Sequence, residues 1–182
     1  MIFKDKVRKP IEGFFKIECF DKNDKLVDSF EKKNMIMFTS KQSVANSMHN
    51  PATSVYINKI SLGNDGTISG NTMAPKTFTY DILDLFVGPS PVLPKERLDI
   101  DIVPGLNQNP IGTIMTNTNI VNTSSIEYEI TLNEDDANGS GIVGWSEAAL
   151  FTSNGDIFAM RTFPAKIKDS TTKLKITWKI VF

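Results

Sequence analysis

Few residues of this chain could combine to do chemistry. There is one histidine, His49, and one cysteine, Cys19. A zinc site needs three or four such ligands, so these two cannot form one. A Cys–His nucleophile pair would require the fold to bring them together. His49, just before Asn50-Pro51, reads as an exposed residue at a helix end. Cys19, within Phe14-Phe15-Lys16-Ile17-Glu18-Cys19-Phe20, reads as a buried thiol acting as a small hydrophobe. No phosphate-binding glycine loop is present. Gly139-Ser140-Gly141 lacks the strand and second spacing of a nucleophile elbow. Glu134, Asp135 and Asp136 form an acidic cluster that could attract calcium, Asp65 lies in another turn, and Asp21-Lys22-Asn23-Asp24 approaches a calcium loop. None has the required ligand order, and all three read as solvated turns. A glycosidase carboxylate pair is set by space rather than spacing, so the sequence does not exclude one. Trp145 near Glu147 would suit a carbohydrate platform, but strand alternation puts Trp145 on an apolar face with Ala149 and Phe151. The expectation is no catalytic residue, no metal and no cofactor.

Composition agrees. The chain has 182 residues, 40 % hydrophobic and 23 % charged, with a formal net charge of -1, which fits a single globular domain over residues 1–182. Such a balance gives no general attraction to nucleic acid or to an anionic membrane. One cysteine allows no intrachain disulfide. The start carries Lys4, Asp5, Lys6, Arg8 and Lys9, with no apolar stretch of signal-peptide length and no membrane-spanning run. Ile2 is not a myristoylation site. The expectation is a soluble protein made in the cytoplasm.

The elements that would position these residues are mostly strands. Residues 14–20 and 25–30 read as a hairpin about the turn Asp21–Asp24. Residues 39–49 read as one short α-helix, with Thr39 and Gln42 in a capping box and Pro51 beyond its end. Strands are expected at 55–62, at 97–102, and at 125–132 with Ile126, Tyr128, Ile130 and Leu132 inward. The last strand carries Leu174, Ile176, Trp178, Ile180 and Phe182 on one face and lysines on the other. Residues 66–94 and 104–124 read as long loops, with a weak strand at 111–116. The first holds Phe78, Tyr80, Leu85 and Phe86, too apolar to stay in water as one patch. They pack either on their own domain or on a neighbour, and they are the candidate protein–protein interface. The fold class is therefore all-β: an antiparallel β-sandwich of about eight strands with one short α-helix near 39–49.

Two registers follow. A two-residue type I′ turn at Asn154-Gly155 would set Ser153 against Asp156, Phe151 against Phe158, Ala149 against Met160 and Glu147 against Thr162. It would place Arg161 on the other face from Glu147, which argues against an ion pair between them. Outward-facing Glu127 and Glu129 would pair with Lys173, Lys175 and Lys179 if their strands are neighbours; otherwise these are two solvated faces.

The order of features resembles a known family. Asn34-Met35-Ile36-Met37 and Thr39 stand at the helix entrance, and a strand ends in Ile60-Ser61-Leu62-Gly63. Asp81-Ile82-Leu83 and Glu96-Arg97 follow. Then come Glu147-Ala148-Ala149-Leu150-Phe151, Phe158-Ala159-Met160-Arg161-Thr162-Phe163-Pro164 and Ile176-Thr177-Trp178-Lys179-Ile180. Over most of residues 34–182 this resembles virion proteins of tailed bacteriophages found around tail fibres, collars and baseplates. The resemblance implies a β-rich assembly module without catalytic residues, made in the host cytoplasm and residing in the virion. Its partners would be other virion proteins and copies of itself, with no nucleic acid, membrane or small-molecule substrate. A second reading is a carbohydrate-binding receptor-recognition module, with Trp145, Tyr56 or Tyr80 as its exposed aromatic. A third, a hydrolase acting through paired carboxylates, has no motif behind it.

Overall fold

In the computed structural model the described residues are 11–37, 55–68, 70–76, 97–101, 115–122, 125–136, 138 and 144–182, with the backbone alone described for 97–101 and 115–122. They form twelve strands: β1 (Glu12–Asp21), β2 (Leu26–Lys33), β3 (Met35–Ile36), β4 (Ile57–Gly63), β5 (Thr67–Ile68), β6 (Asn71–Pro75), β7 (Arg97–Asp101), β8 (Met115–Asn122), β9 (Ser125–Leu132), β10 (Trp145–Thr152), β11 (Ile157–Lys166) and β12 (Thr172–Val181). A first sheet has the order β2-β1-β12-β9-β8, and a second has β3-β11-β10-β4-β7. β5 and β6 make a separate small hairpin. Every pairing is antiparallel. The fold is the all-β antiparallel sandwich expected. The helix expected at 39–49 lies outside the described residues.

Strict alternation makes the core. Phe15, Ile17 and Cys19 of β1, Tyr128, Ile130 and Leu132 of β9, and Leu174, Ile176, Trp178 and Ile180 of β12 all face inward. Opposite them stand Ile60 and Leu62 of β4, Ala148 and Leu150 of β10, and Phe158 and Phe163 of β11. Aromatic rings join the two layers. Phe15 stacks on Phe163 at 5.2 Å between centroids and meets Trp178 edge-on at 4.9 Å, arrangements the ring quadrupoles favour. Burial of Cys19 pushes its thiol up to about 11, so it stays a protonated packing residue at neutral pH. Phe182, one residue past β12, is exposed.

Four expectations are corrected. The region 104–124 is not one long loop, because β8 occupies 115–122 at the edge of the first sheet. Its asparagines suggested a loop. Yet β-branched Thr116, Thr118 and Ile120 stand in register with Ile130, Tyr128 and Ile126, the alternation a strand needs. Part of the region 66–94 is likewise the β5–β6 hairpin.

The turn before β11 is not type I′. The Gly155 N–H donates to the Thr152 carbonyl at 2.8 Å, and the Thr152 N–H donates to Asp156 O at 2.9 Å. Gly155 is left-handed at φ 89°, while Asn154 is not. This is a three-residue loop closed by a glycine bulge. The extra residue pairs Phe151 with Ile157 instead of Phe158, whereas Ala149–Met160 and Glu147–Thr162 pair as expected. A second irregularity at Ser146 turns Trp145 into the main core, away from the small cluster of Ala149 and Met160. The placement of Trp145 beside Ala149 and Phe151 is therefore overturned.

Candidate functional site

The outer faces of the two sheets differ in kind. On the second sheet, Ser61, Ser146, Glu147, Ala149, Met160 and Thr162 are all buried although they point away from the main core or sit at its margin. Glu147 is 1 % exposed. A buried carboxylate is costly unless its oxygens are engaged, and here it helps fasten the β5–β6 hairpin. The Asp65 N–H donates to Glu147 Oε1 at 3.3 Å, the Gly66 N–H to Ser146 Oγ at 2.8 Å, and the Thr162 hydroxyl to Lys76 O at 2.8 Å. Lys76 also pairs with Asp65 at 2.9 Å. Gly66 is required by proximity: a Cβ there would lie 2.0 Å from the Ser146 carbonyl oxygen. Arg161 turns the other way, as the register required, donating from Nη1 to Lys33 O at 3.1 Å with its guanidinium over Phe30. Together with the Lys166–Asp28 ion pair, it ties β11 to β2 across the open side of the sandwich.

The acidic loop after β9 is held by a lysine. Lys168 is 2 % exposed, and its ammonium donates to Glu134 O at 3.0 Å, Asn138 Oδ1 at 2.9 Å and Asp169 O at 2.9 Å. Three N–H donors thus meet three neutral oxygens. Desolvation lowers the Lys168 pKa, opposed by the charges of Asp136, Asp169, Glu134 and Asp135. Asp136, the buried member of that cluster, accepts from the Asn133 N–H at 2.8 Å. The cluster that suggested calcium is organised about the chain's own ammonium group. Among the described residues, no three His, Cys, Asp or Glu side chains are placed to hold a metal ion.

The outer face of the first sheet is open and charged. Across neighbouring strands the rows read Lys33, Phe14, Lys179, Glu127 and then Glu31, Lys16, Thr177, Glu129. The neighbour relation between β9 and β12 holds, and Lys175 pairs with Glu129 at 3.0 Å. Lys173 instead reaches Asp24 in the first turn. Lys16 pairs with Glu18 at 2.6 Å, and Lys33 with Glu12 at 3.0 Å. Between the rows lies a hollow of about 420 Å³, lined by Phe14, Lys16, Glu31, Glu127, Thr177 and Lys179.

The aromatic candidates fare differently. Trp145 and Trp178 are 3 % and 0 % exposed, so neither is a ligand platform. Tyr56 is 51 % exposed beside the β10–β11 turn. Tyr80 and the interface candidates Phe78, Leu85 and Phe86 lie outside the described residues, as does His49. Phe14, which sequence reasoning treated only as part of a strand, is the aromatic at the hollow. Its even position opposite Lys179, on the face away from Phe15, was the available signal. Among the described residues no helix is long and apolar enough to cross a membrane. Compared with family models, curated proteins and solved structures, the chain matches none.

Proposed function

We propose that this chain is a non-enzymatic structural component of a tailed-phage virion, assembling with other tail, baseplate or fibre proteins and with copies of itself. One observation carries the reading. The segments through which the sequence resembles such proteins are framework rather than cleft. Ala148, Leu150, Phe158 and Phe163 fill the core, Ser146 and Glu147 anchor the β5–β6 hairpin, and Arg161 ties the sheets together. A module of this kind presents loops from a stiff β scaffold, and symmetry multiplies weak loop contacts into a firm assembly.

The test is the solution mass by light scattering over a concentration series, followed by pull-down with phage tail, baseplate and fibre proteins. A trimer or hexamer, or a stable complex with a tail protein, is the expected result. Phe78→Ser with Phe86→Ser should weaken that assembly without loss of fold. A chain that stays monomeric and captures none of those proteins would overturn the proposal. The carbohydrate-recognition alternative loses Trp145 to the core but keeps Tyr56, which is 51 % exposed.

A further inference from the structure

We propose that the β2 edge of the first sheet pairs with the same edge of a second copy of this chain, giving an antiparallel two-fold dimer whose first sheets are continuous. β2 itself carries this, and not the loop contacts of the virion reading.

β2 is an edge strand, and each of its residues except Phe30 is exposed. The register fixes which backbone groups are open. Asn34 donates its N–H to the Gly13 carbonyl at 2.9 Å. Such bonded pairs recur at every second residue of an antiparallel ladder, so Lys32, Phe30 and Asp28 turn their backbone groups toward β1. Val27, Ser29, Glu31 and Lys33 turn theirs to the free edge. Arg161 reaches the Lys33 carbonyl from that side. The pairing runs without a bulge from Phe14–Lys33 to Cys19–Asp28, and β2 holds no proline. Two devices that commonly blunt an open edge are therefore missing. The third, charge, is present, and its pattern decides the partner.

That pattern is self-complementary. A two-fold axis at Phe30 sets Asp28 opposite the second copy's Lys32, and Lys32 opposite the second copy's Asp28. Both pairs fall at the non-hydrogen-bonded positions of the new ladder, where facing side chains lie closest. Ser29 and Glu31 exchange backbone hydrogen bonds with the second copy's Glu31 and Ser29, and the two Phe30 rings meet on the axis. Both charges have capacity to spare. Asp28 gives one carboxylate oxygen to Lys166 and keeps its side chain 53 % exposed, and Lys32 makes no ion pair among the described residues. Neighbouring registers lose the match. An axis at Glu31 opposes two glutamates, one at Lys32 opposes two lysines, and one at Asp28 opposes two aspartates. An axis at Ser29 leaves Asp28 facing Phe30 and Lys32 facing Leu26. A foreign strand would need the reversed charge order, whereas a copy supplies it through isologous symmetry.

The experiment is analytical ultracentrifugation of the full chain from micromolar to millimolar concentration, with amide spectra as the check on folding. A reversible dimer is expected, weak because a contact one strand wide lies at the small end of specific interfaces. Ser29→Pro removes an N–H that points only to the free edge, a change an edge strand accommodates, and should abolish the dimer. Lys32→Glu sets like charges together at both pairs and should weaken it about tenfold. Lys22→Glu, the same charge change in the β1–β2 turn, should leave it unaltered. Should Ser29→Pro not fold, the exposed Lys32→Glu against Lys22→Glu still decides. A chain monomeric at every concentration, an oligomer indifferent to a folded Ser29→Pro or to Lys32→Glu, or one weakened equally by Lys22→Glu would each overturn the proposal. Capture of tail proteins is read separately, so this pairing and the virion reading fail independently.

Discussion

The two outer faces of this sandwich are built from opposite materials. The first sheet shows water a grid of lysines and glutamates in partial pairing. The second shows it little, since small and polar residues there lie beneath the β5–β6 hairpin with close contacts and short hydrogen bonds. Exposed ion pairs tolerate loss because water replaces either partner. Buried hydrogen-bonded groups do not, because a lost partner leaves the other desolvated. The same chain thus carries one face that is energetically loose and open to change, and one that is fixed by geometry.

The sharpest way to break this comparison is at Gly66. The Cβ of alanine would collide with backbone, the Ser146 carbonyl, rather than with a flexible side-chain end. Gly66→Ala should therefore cost about 3 kcal/mol or release the β5–β6 hairpin. Chemical denaturation together with amide exchange at Asp65 and Gly66 would distinguish the two. A variant as stable as the parent, with those amides still protected, would show that the second face is not locked.

Lys168→Met is the next largest. It keeps the chain's bulk but leaves the carbonyls of Glu134 and Asp169 without their ammonium donor, and a loss of about 2–3 kcal/mol is expected. Its pH dependence has a defined sign. The Lys168 pKa is lowered in the fold by desolvation, so the unfolded chain holds this proton more tightly than the native one. Stability from this group then rises as pH climbs from the native pKa toward 10.5, and Lys168→Met should remove that rise. Denaturation midpoints of both proteins across the alkaline range would show it.

The hairpin turns give a finer comparison, one from each sheet. Both use the same loop. Asp24 donates its N–H to Asp21 O at 3.0 Å, and Gly155 donates to Thr152 O at 2.8 Å. Asp24 holds the left-handed position at φ 58°, and Gly155 holds it at 89°. Nothing lies near a Cβ added at Gly155, so Gly155→Ala should cost about 1 kcal/mol from backbone strain alone. Asp24→Gly should be near neutral, because relief of strain is offset by loss of the Lys173 contact. Thermal unfolding would separate them, and equal costs would sink the argument.

How much of this was readable in the residues follows from the same contrast. Alternation exposed the strands whose two faces differ, as in β9 and β12, and it placed Glu129 near Lys175 correctly. It failed where one residue was added. The bulge at Ser146 flipped Trp145 relative to Ala149 and the one at Gly155 changed the partner of Phe151, and no composition signal marks a bulge at Ser146. β8 was hidden because its asparagines are residues that strands disfavour and turns favour. The role of Lys168 was illegible because it depends on two loops meeting that are distant in sequence. The hollow at Phe14 needed the strand order, since Glu31 and Glu127 come from the two ends of a four-strand row.

The smallest expected effects belong to the open face, and they test its looseness directly. Glu129→Gln removes the partner of Lys175 and should change stability by no more than about 0.5 kcal/mol, with the difference fading as salt is added. Lys16 and Lys173 carry a pH signature of the opposite sign to Lys168. Hydrogen bonds that they donate to Glu18 and Asp24 raise their pKa values above 10.5. Their contribution is present in full below 10.5 and is lost as pH rises through the native values. Glu18→Gln should therefore flatten the alkaline fall in stability slightly, whereas Lys168→Met should remove a rise. Should Glu129→Gln instead cost as much as Lys168→Met, the first face would be as tightly coupled as the second, and the division of the molecule into a loose face and a fixed one would not stand.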